Sequence, residues 1–278
     1  MMKVNISNII GVFMKEFVPC RKCIGKNGIN PKGYIVKKVV AGDGKTMVEV
    51  AEECECHKAW REEAKLEAAL QKANIAPDIM NIPFDNYVGQ KSRNNMERLR
   101  TFTTRSLDPN EPSEIREKLA ASTIYIYGPN GTQKTTLAMR MGYEFLKKGK
   151  KVKYILMNDL IKMLMKAERD EDIQAQIEKL TEVDLLIIDE SFMKERVTIY
   201  RSGYQLSFLD TFLRNRIQSN KRGVIFISNI SMDDIDKNIF GEGLIDLVKR
   251  NVTLNNGNML FEDNYLDQKS EIQIESLF

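Results

Sequence analysis

From Thr123 onward the chain alternates short, predominantly apolar runs with longer segments whose apolar residues recur every three or four positions. The runs at 123–127, 152–157, 184–189 and 223–228 predict strands, and residues 136–148, 158–167, 168–180 and 206–218 predict helices. A strand that is aliphatic at every position has both faces covered. Strands separated by helices pair in parallel, so the pattern predicts an α/β fold, a parallel sheet with helices on both faces. Asn158 or Asp159 is the expected cap of its helix, and Gly149 the stop of the one before. The basic run 147–151 at that stop reads as dipole compensation rather than a DNA contact.

Upstream the pattern differs. Residues 34–40 and 46–50 are β-rich and flank Ala41-Gly42-Asp43-Gly44, a hairpin signal. Residues 58–73 read as a helix in which Ala59, Leu66, Leu70 and Ala73 share a face. Pro77 and Pro83 break it, Phe84-Asp85-Asn86-Tyr87 looks like an anchoring turn, and 94–106 is a further helix before the loop 108–112. The expected organisation is a docking module at 1–75, a linker and anchoring helix at 76–112, a large domain at 113–262 and an acidic, mobile tail at 263–278.

Charge is nearly balanced, Lys+Arg 42 against Asp+Glu 39, a net +3. No bulk positive field exists, so any nucleic-acid contact must come from a local patch. Residues 194–204, with Arg196, Tyr200, Arg201 and Tyr204, interleave cations and aromatics as a single-strand-binding surface would, and as a plain polar loop also can. No apolar run reaches membrane-spanning length, and the run 9–14 is too short for a signal segment. The expectation is a cytoplasmic protein without membrane contact, in whose reducing surroundings paired cysteines suggest metal before disulfide.

All four cysteines fall in the first 56 residues, as Cys20-x-x-Cys23 and Cys54-x-Cys56, with His57, the single histidine, next. The hairpin between the pairs would bring them together around one Zn²⁺. His57 stays open as an alternative to Cys56, and reduced cysteines without metal as the bland reading. Trp60, the one tryptophan, is expected to pack on this module.

The strand at 123–127 runs into Gly128-Pro129-Asn130-Gly131-Thr132-Gln133-Lys134-Thr135-Thr136 and a helix, the strand–loop–helix order of a P-loop. Such a loop turns its amides inward at a helix N-terminus and cradles anions. Lys134 would reach the β- and γ-phosphates of ATP and Thr135 would hold Mg²⁺. Gln133 stands where the pattern has its second glycine, restricting φ and crowding the phosphates. About fifty residues on, Leu185-Leu186-Ile187-Ile188-Asp189-Glu190 is a buried strand ending in two acids. Asp189 belongs to the Mg²⁺ shell and Glu190 to the attacking water. Asn229, after the strand at 223–228, either senses the γ-phosphate, positions the water, or is a strand-end turn residue.

Together the cysteine module, Pro83-Phe84-Asp85-Asn86-Tyr87, the loop 128–135, the strand LLIIDE and Ser228-Asn229 resemble the AAA+ ATPases. More narrowly, they resemble the DnaC/DnaI helicase loaders and their phage relatives, over roughly residues 20–260. The resemblance implies an ATPase with a truncated helical lid behind a small zinc-binding hairpin/helix module. It implies that the module docks on a hexameric DnaB-type replicative helicase, that the ATPase self-assembles and binds single-stranded DNA, and that ATP governs release. It places at Arg250 the arginine offered to a neighbour's nucleotide, with Lys249, Arg214 and Arg216 as competitors. The bland reading of Arg250 is a helix-end cation. Two other functions stay open: an IstB-like helper of transposition, and a nucleotide-binding adaptor with little hydrolysis.

Overall fold

The computed structural model describes residues 17–24, 33–42, 44–196, 204–219, 222–254 and 256–263. The chain divides into two units between Ala69 and Leu70.

The first unit holds α1 (Arg21–Ile24), β1 (Tyr34–Val40) and β2 (Met47–Glu53). The two strands pair antiparallel from Tyr34↔Glu53 to Val40↔Met47, three residues beyond the expected end of the second. Gly33 precedes the hairpin at φ +76, and a Cβ there would lie 2.5 Å from the Cβ of His57, so only glycine fits. The hairpin is apolar yet exposed: Val36, Val40 and Met47 are each more than half accessible. Helix α2 (Glu55–Lys72) follows. Its Leu70 is buried, as is Ala73 just beyond it, whereas Ala59, expected on the same face, is exposed.

In the second unit, Phe84 and Tyr87 are buried around a short 3-10 turn, and α3 (Arg93–Leu107) and α4 (Ser113–Ala120) follow. The sheet and its helices come next. They are β3 (Thr123–Tyr127), α5 (Lys134–Lys147), β4 (Val152–Leu156), α6 (Met157–Lys166), α7 (Glu171–Glu182), β5 (Leu185–Asp189), α8 (Tyr204–Arg214), β6 (Gly223–Ser228), α9 (Lys237–Phe240), α10 (Glu242–Leu254) and β7 (Asn258–Leu260). The five strands are parallel, in the order β4-β5-β6-β3-β7. Every residue of β5 and β6 is buried. Alternating side chains serve opposite faces. Leu186, Ile188, Val224 and Phe226 form one core with α6, α8 and α10, while α5 covers the other face.

Four details differ from the sequence reading. Helix α6 starts one residue earlier, at Met157, and neither Asn158 nor Asp159 caps it; the cap position is Leu156, with no side-chain bond. A side-chain cap belongs instead to α7, where Asp170 accepts from the amides of Asp172 and Ile173. Helix α10 runs through residues 252–254, and a last short strand, β7, follows it without having been expected. Finally, Asp263, assigned to a mobile tail, is buried: the Tyr87 hydroxyl and the amides of Gln90, Lys91 and Ser92 donate to its carboxylate at 2.8–3.1 Å. Burial works to raise this carboxyl, but the Ser92 and Lys91 amides prevail and hold it below its usual range. The rest of the tail, 264–278, lies outside the described residues, as does the run 9–14.

Gly149 does end α5 in the expected way. At φ +71 its N–H reaches Leu146 O and that of Lys150 reaches Phe145 O, the two bonds of a Schellman motif. No helix among the described residues is long and apolar enough to cross a membrane.

Candidate nucleotide site and cysteine cluster

Because β6 lies between β3 and β5, three strand ends meet at one edge of the sheet: the loop after β3, the acids after β5 and Ser228-Asn229 after β6. This edge, outside the carboxyl ends of parallel strands, is where such sheets bind ligands. A cavity of about 290 Å³ opens there, lined by residues 130–136, Asp189, Glu190, Arg196, Ser228 and Asn229, among others.

The loop is built by residues that permit close approach and left-handed backbone. A Cβ on Gly128, at φ +139, would lie 1.9 Å from Phe261 O. Gly131 is at φ +80 and Gln133 at φ +62, just before α5 begins at Lys134. A non-glycine residue in that conformation costs about 1 kcal/mol. Gln133 is also tethered, its Oε1 accepting from the Val88 amide at 3.4 Å.

Lys134 is buried, and its Nζ donates to Gly128 O, Pro129 O and Thr132 Oγ1 at 2.8, 2.6 and 3.2 Å. Burial lowers it to about 8, with Asp189 acting in the opposite sense. The Thr135 hydroxyl donates to Asp189 Oδ2 at 2.7 Å, and the Glu190 amide to Asp189 Oδ1 at 2.7 Å. Thr136 lines the same cavity. Across it, Asn229 Nδ2 donates to Asn130 Oδ1 at 2.7 Å. Glu190, at φ +52, lies 3.8 Å from the Arg196 guanidinium. The arrangement sets a cation, a hydroxyl–carboxylate pair, a second carboxylate and an amide around one cavity at a helix N-terminus. It suits a polyanion with a divalent ion.

Two groups, one bonded to a lining carboxylate and one lining the cavity itself, escaped the sequence reading of this site. Tyr154 donates to Asp189 Oδ2 at 3.0 Å; burial and then Asp189 raise its phenol. The signal was the β4–β5 register, Leu156 against Asp189, which no local pattern carries. Arg196 follows the acids by only a few residues and was read as part of a DNA surface. Of that surface, Tyr200 and Arg201 lie outside the described residues, as does the Tyr204 side chain.

Arg250 does not line the cavity; it is exposed on α10. Among its competitors, Arg216 is fully buried and cannot reach another subunit. Arg214 pairs with Asp210 and Lys249 with Asp233, at 2.7 and 2.8 Å.

In the first unit the four thiols converge. Their sulfurs all lie within 4.8 Å of one another, with Cys20–Cys54 at 3.6 Å and Cys23–Cys56 and Cys54–Cys56 at 3.5 Å. Tetrahedral Zn²⁺–thiolate bonds of about 2.3 Å set sulfurs roughly 3.8 Å apart, so the cluster fits that ion. The Cys23 and Lys22 amides lower Cys20 to about 6, and burial raises Cys23 to about 12. His57 is engaged elsewhere: Nδ1 is 2.7 Å from Glu53 Oε1, and its ring stacks on Trp60 at 5.6 Å.

The family model for IstB-like ATP-binding protein matches residues 54–246. The chromosomal replication initiator protein DnaA of Neisseria gonorrhoeae is 27% identical over 187 residues, 64% of this chain and 32% of that protein. The chain thus spans about a third of the length of the curated relatives it matches first. An ATP-binding protein of insertion sequence IS21 from Pseudomonas aeruginosa is 31% identical over 70 residues, 25% of this chain and 26% of that protein. Among solved structures, a DNA replication initiation factor shares the fold with a TM-score of 0.50 at 19% identity, over 69% of this chain and 51% of that one. The DnaC helicase loader reaches 0.46 at 19% identity, over 67% of this chain and 99% of that one.

Proposed function

The chain belongs to the IstB-like ATP-binding proteins, and from that premise we propose that it hydrolyses ATP to load a hexameric DnaB-type replicative helicase onto single-stranded DNA. The observation that carries the ATPase reading is the Thr135 hydroxyl on the Asp189 carboxylate, at 2.7 Å, in a cavity shared with Lys134 and Glu190. In this reading Lys134 exchanges its loop acceptors for the β- and γ-phosphates, while the amides of the loop 128–136 receive the remaining oxygens. Thr135 and Asp189 are the groups that would hold Mg²⁺, which neutralises charge on the phosphates when bound. Glu190 orients or deprotonates the attacking water, and Asn229 gives up Asn130 for the γ-phosphoryl. Arg250, exposed, serves the nucleotide of an adjacent subunit.

The four thiolates hold Zn²⁺ and fold the module at 1–75, which docks on the helicase. The exposed apolar hairpin supports docking, since apolar area of that kind marks interaction sites. The test uses the full chain. Lys134→Ala should abolish ATP binding, and Glu190→Gln should retain binding while turnover falls at least a hundredfold. Wild type should deliver a replicative helicase to a single-stranded circle only with ATP. Unchanged turnover in Glu190→Gln would remove the catalytic assignment, and failure to retain any replicative helicase would remove the loader.

The family and the IS21 relative favour one second reading, an ATPase helper of transposition. Capture of a transposase rather than a helicase by the full chain would select it. Gln133 in a left-handed position keeps the weakly hydrolysing adaptor in view. Stoichiometric ATP binding without turnover, even with helicase and DNA, would select that one.

A further inference from the structure

Lys134 and Arg196 are the two cations among the residues lining the nucleotide cavity, and they are held differently. Lys134 is buried on three acceptors of its own loop. Arg196 has a half-exposed side chain whose ion-pair partner is Glu190, 3.8 Å away. An exposed pair at that distance gives way readily to a stronger anion. The backbone that leads to Arg196 is nevertheless anchored. Ser191 is buried and its carbonyl accepts from Ser228 Oγ at 2.7 Å; Phe192 is buried against Phe226 and Phe240. From that anchor the Arg196 amide closes a turn onto Met193 O at 3.0 Å. The planar fork is thus delivered to the cavity on a short tether, beside the carboxylate that would handle the water.

Resting on the nucleotide reading above, we propose that Arg196 is a further residue that distinguishes triphosphate from diphosphate, beside Lys134 and Asn229. In the empty site it holds Glu190. When a triphosphate enters, the terminal phosphoryl group carries more charge than a carboxylate and matches the guanidinium fork, so Arg196 transfers to the γ-oxygens. Glu190 is then released to its water at the moment the substrate is complete. A diphosphate has no γ-oxygens and leaves the Arg196–Glu190 pair closed. Arg196 acts in its own subunit, unlike the arginine proposed to come from a neighbour.

The experiment measures binding of ADP and of a non-hydrolysable ATP analogue to the full chain by titration calorimetry, for wild type, Arg196→Ala and Arg196→Lys. Arg196→Ala should weaken the analogue about tenfold, the scale of one lost charge-assisted bond, with ADP within about twofold. Arg196→Lys, which keeps the charge without the fork, should recover part of the preference. A purely structural role for Arg196 would weaken both ligands together, and that result, or no change in either, overturns the proposal. Wild-type protein that binds neither nucleotide overturns the site itself; wild-type binding with unaltered discrimination in Arg196→Ala overturns only the role of Arg196.

Discussion

Lys134 shows how much of the nucleotide site is decided by one buried charge. Burial holds it at about 8, although Asp189 pulls upward. An incoming polyphosphate favours the ammonium and restores a high pKa. The sign then follows from linkage. Below pH 8 both empty and filled sites carry the charge, and affinity is flat. Above it only the filled site does, so binding takes up a proton and affinity falls, approaching tenfold per pH unit. Calorimetry at pH 7.5, 8.5 and 9.5, in buffers of different ionisation heat, reads both the slope and the proton uptake. Lys134→Arg, charged throughout this range, should flatten the profile; a wild-type profile already flat would mean that the lysine is charged in the empty site. The loop and both acids were legible because strand, loop and helix follow one another locally. The left-handed Gln133 and its tether to Val88 were not, since a glutamine in sequence does not announce its φ.

Elements were legible to the degree that they bury a periodic face. Helix α4 buries no residue, so it has no stripe to find. Strand β7 is three residues long, and the fit beside it comes from Gly257, where a Cβ would lie 2.5 Å from Thr123 O. The end of α8 was legible as helix but not as the π-turn it becomes at Asn215–Ser219. Arg216 sits in that turn, fully buried, and donates to the carbonyls of Leu180, Thr181, Val183 and Gly223 at 2.8–3.4 Å. It staples the end of α7 to the start of β6. Arg216→Met should destabilise the chain by about 3 kcal/mol, because the carbonyls stay buried without donors. Urea unfolding would read it, and a loss below about 1 kcal/mol would reject the staple. The cysteine cluster makes a separate prediction at this scale. Purified protein should contain one zinc, and a chelator should expose Trp60, whose ring stacks on His57 beside the ligands, and red-shift its emission. Emission unmoved by removal of the metal would show that the hairpin stands without it.

At the scale of the whole molecule, alternation foretold a parallel sheet but not its strand order, because periodicity carries no information about neighbours. Placing β6 between β3 and β5 is what sets Asn229 across from the loop and the acids on the far side. The same architecture keeps Arg250 out of its own cavity, exposed on α10. An arginine that completes a neighbour's site has a signature that no single subunit can show. Arg250→Ala has an intact pocket and offers no arginine; Lys134→Ala has a ruined pocket and still offers one. Each should be inactive alone. Mixed in equal amounts in a closed assembly, half the pockets are sound and half of those face a subunit that supplies the arginine. About a quarter of wild-type turnover should therefore return, as expected for an arginine acting in trans. If Arg250 acts within its own subunit or only ends its helix, no mixture of the two variants gains activity over its components. Recovery that rises with protein concentration would further tie turnover to self-association, and recovery near zero at every ratio would reject an Arg250 that acts in trans.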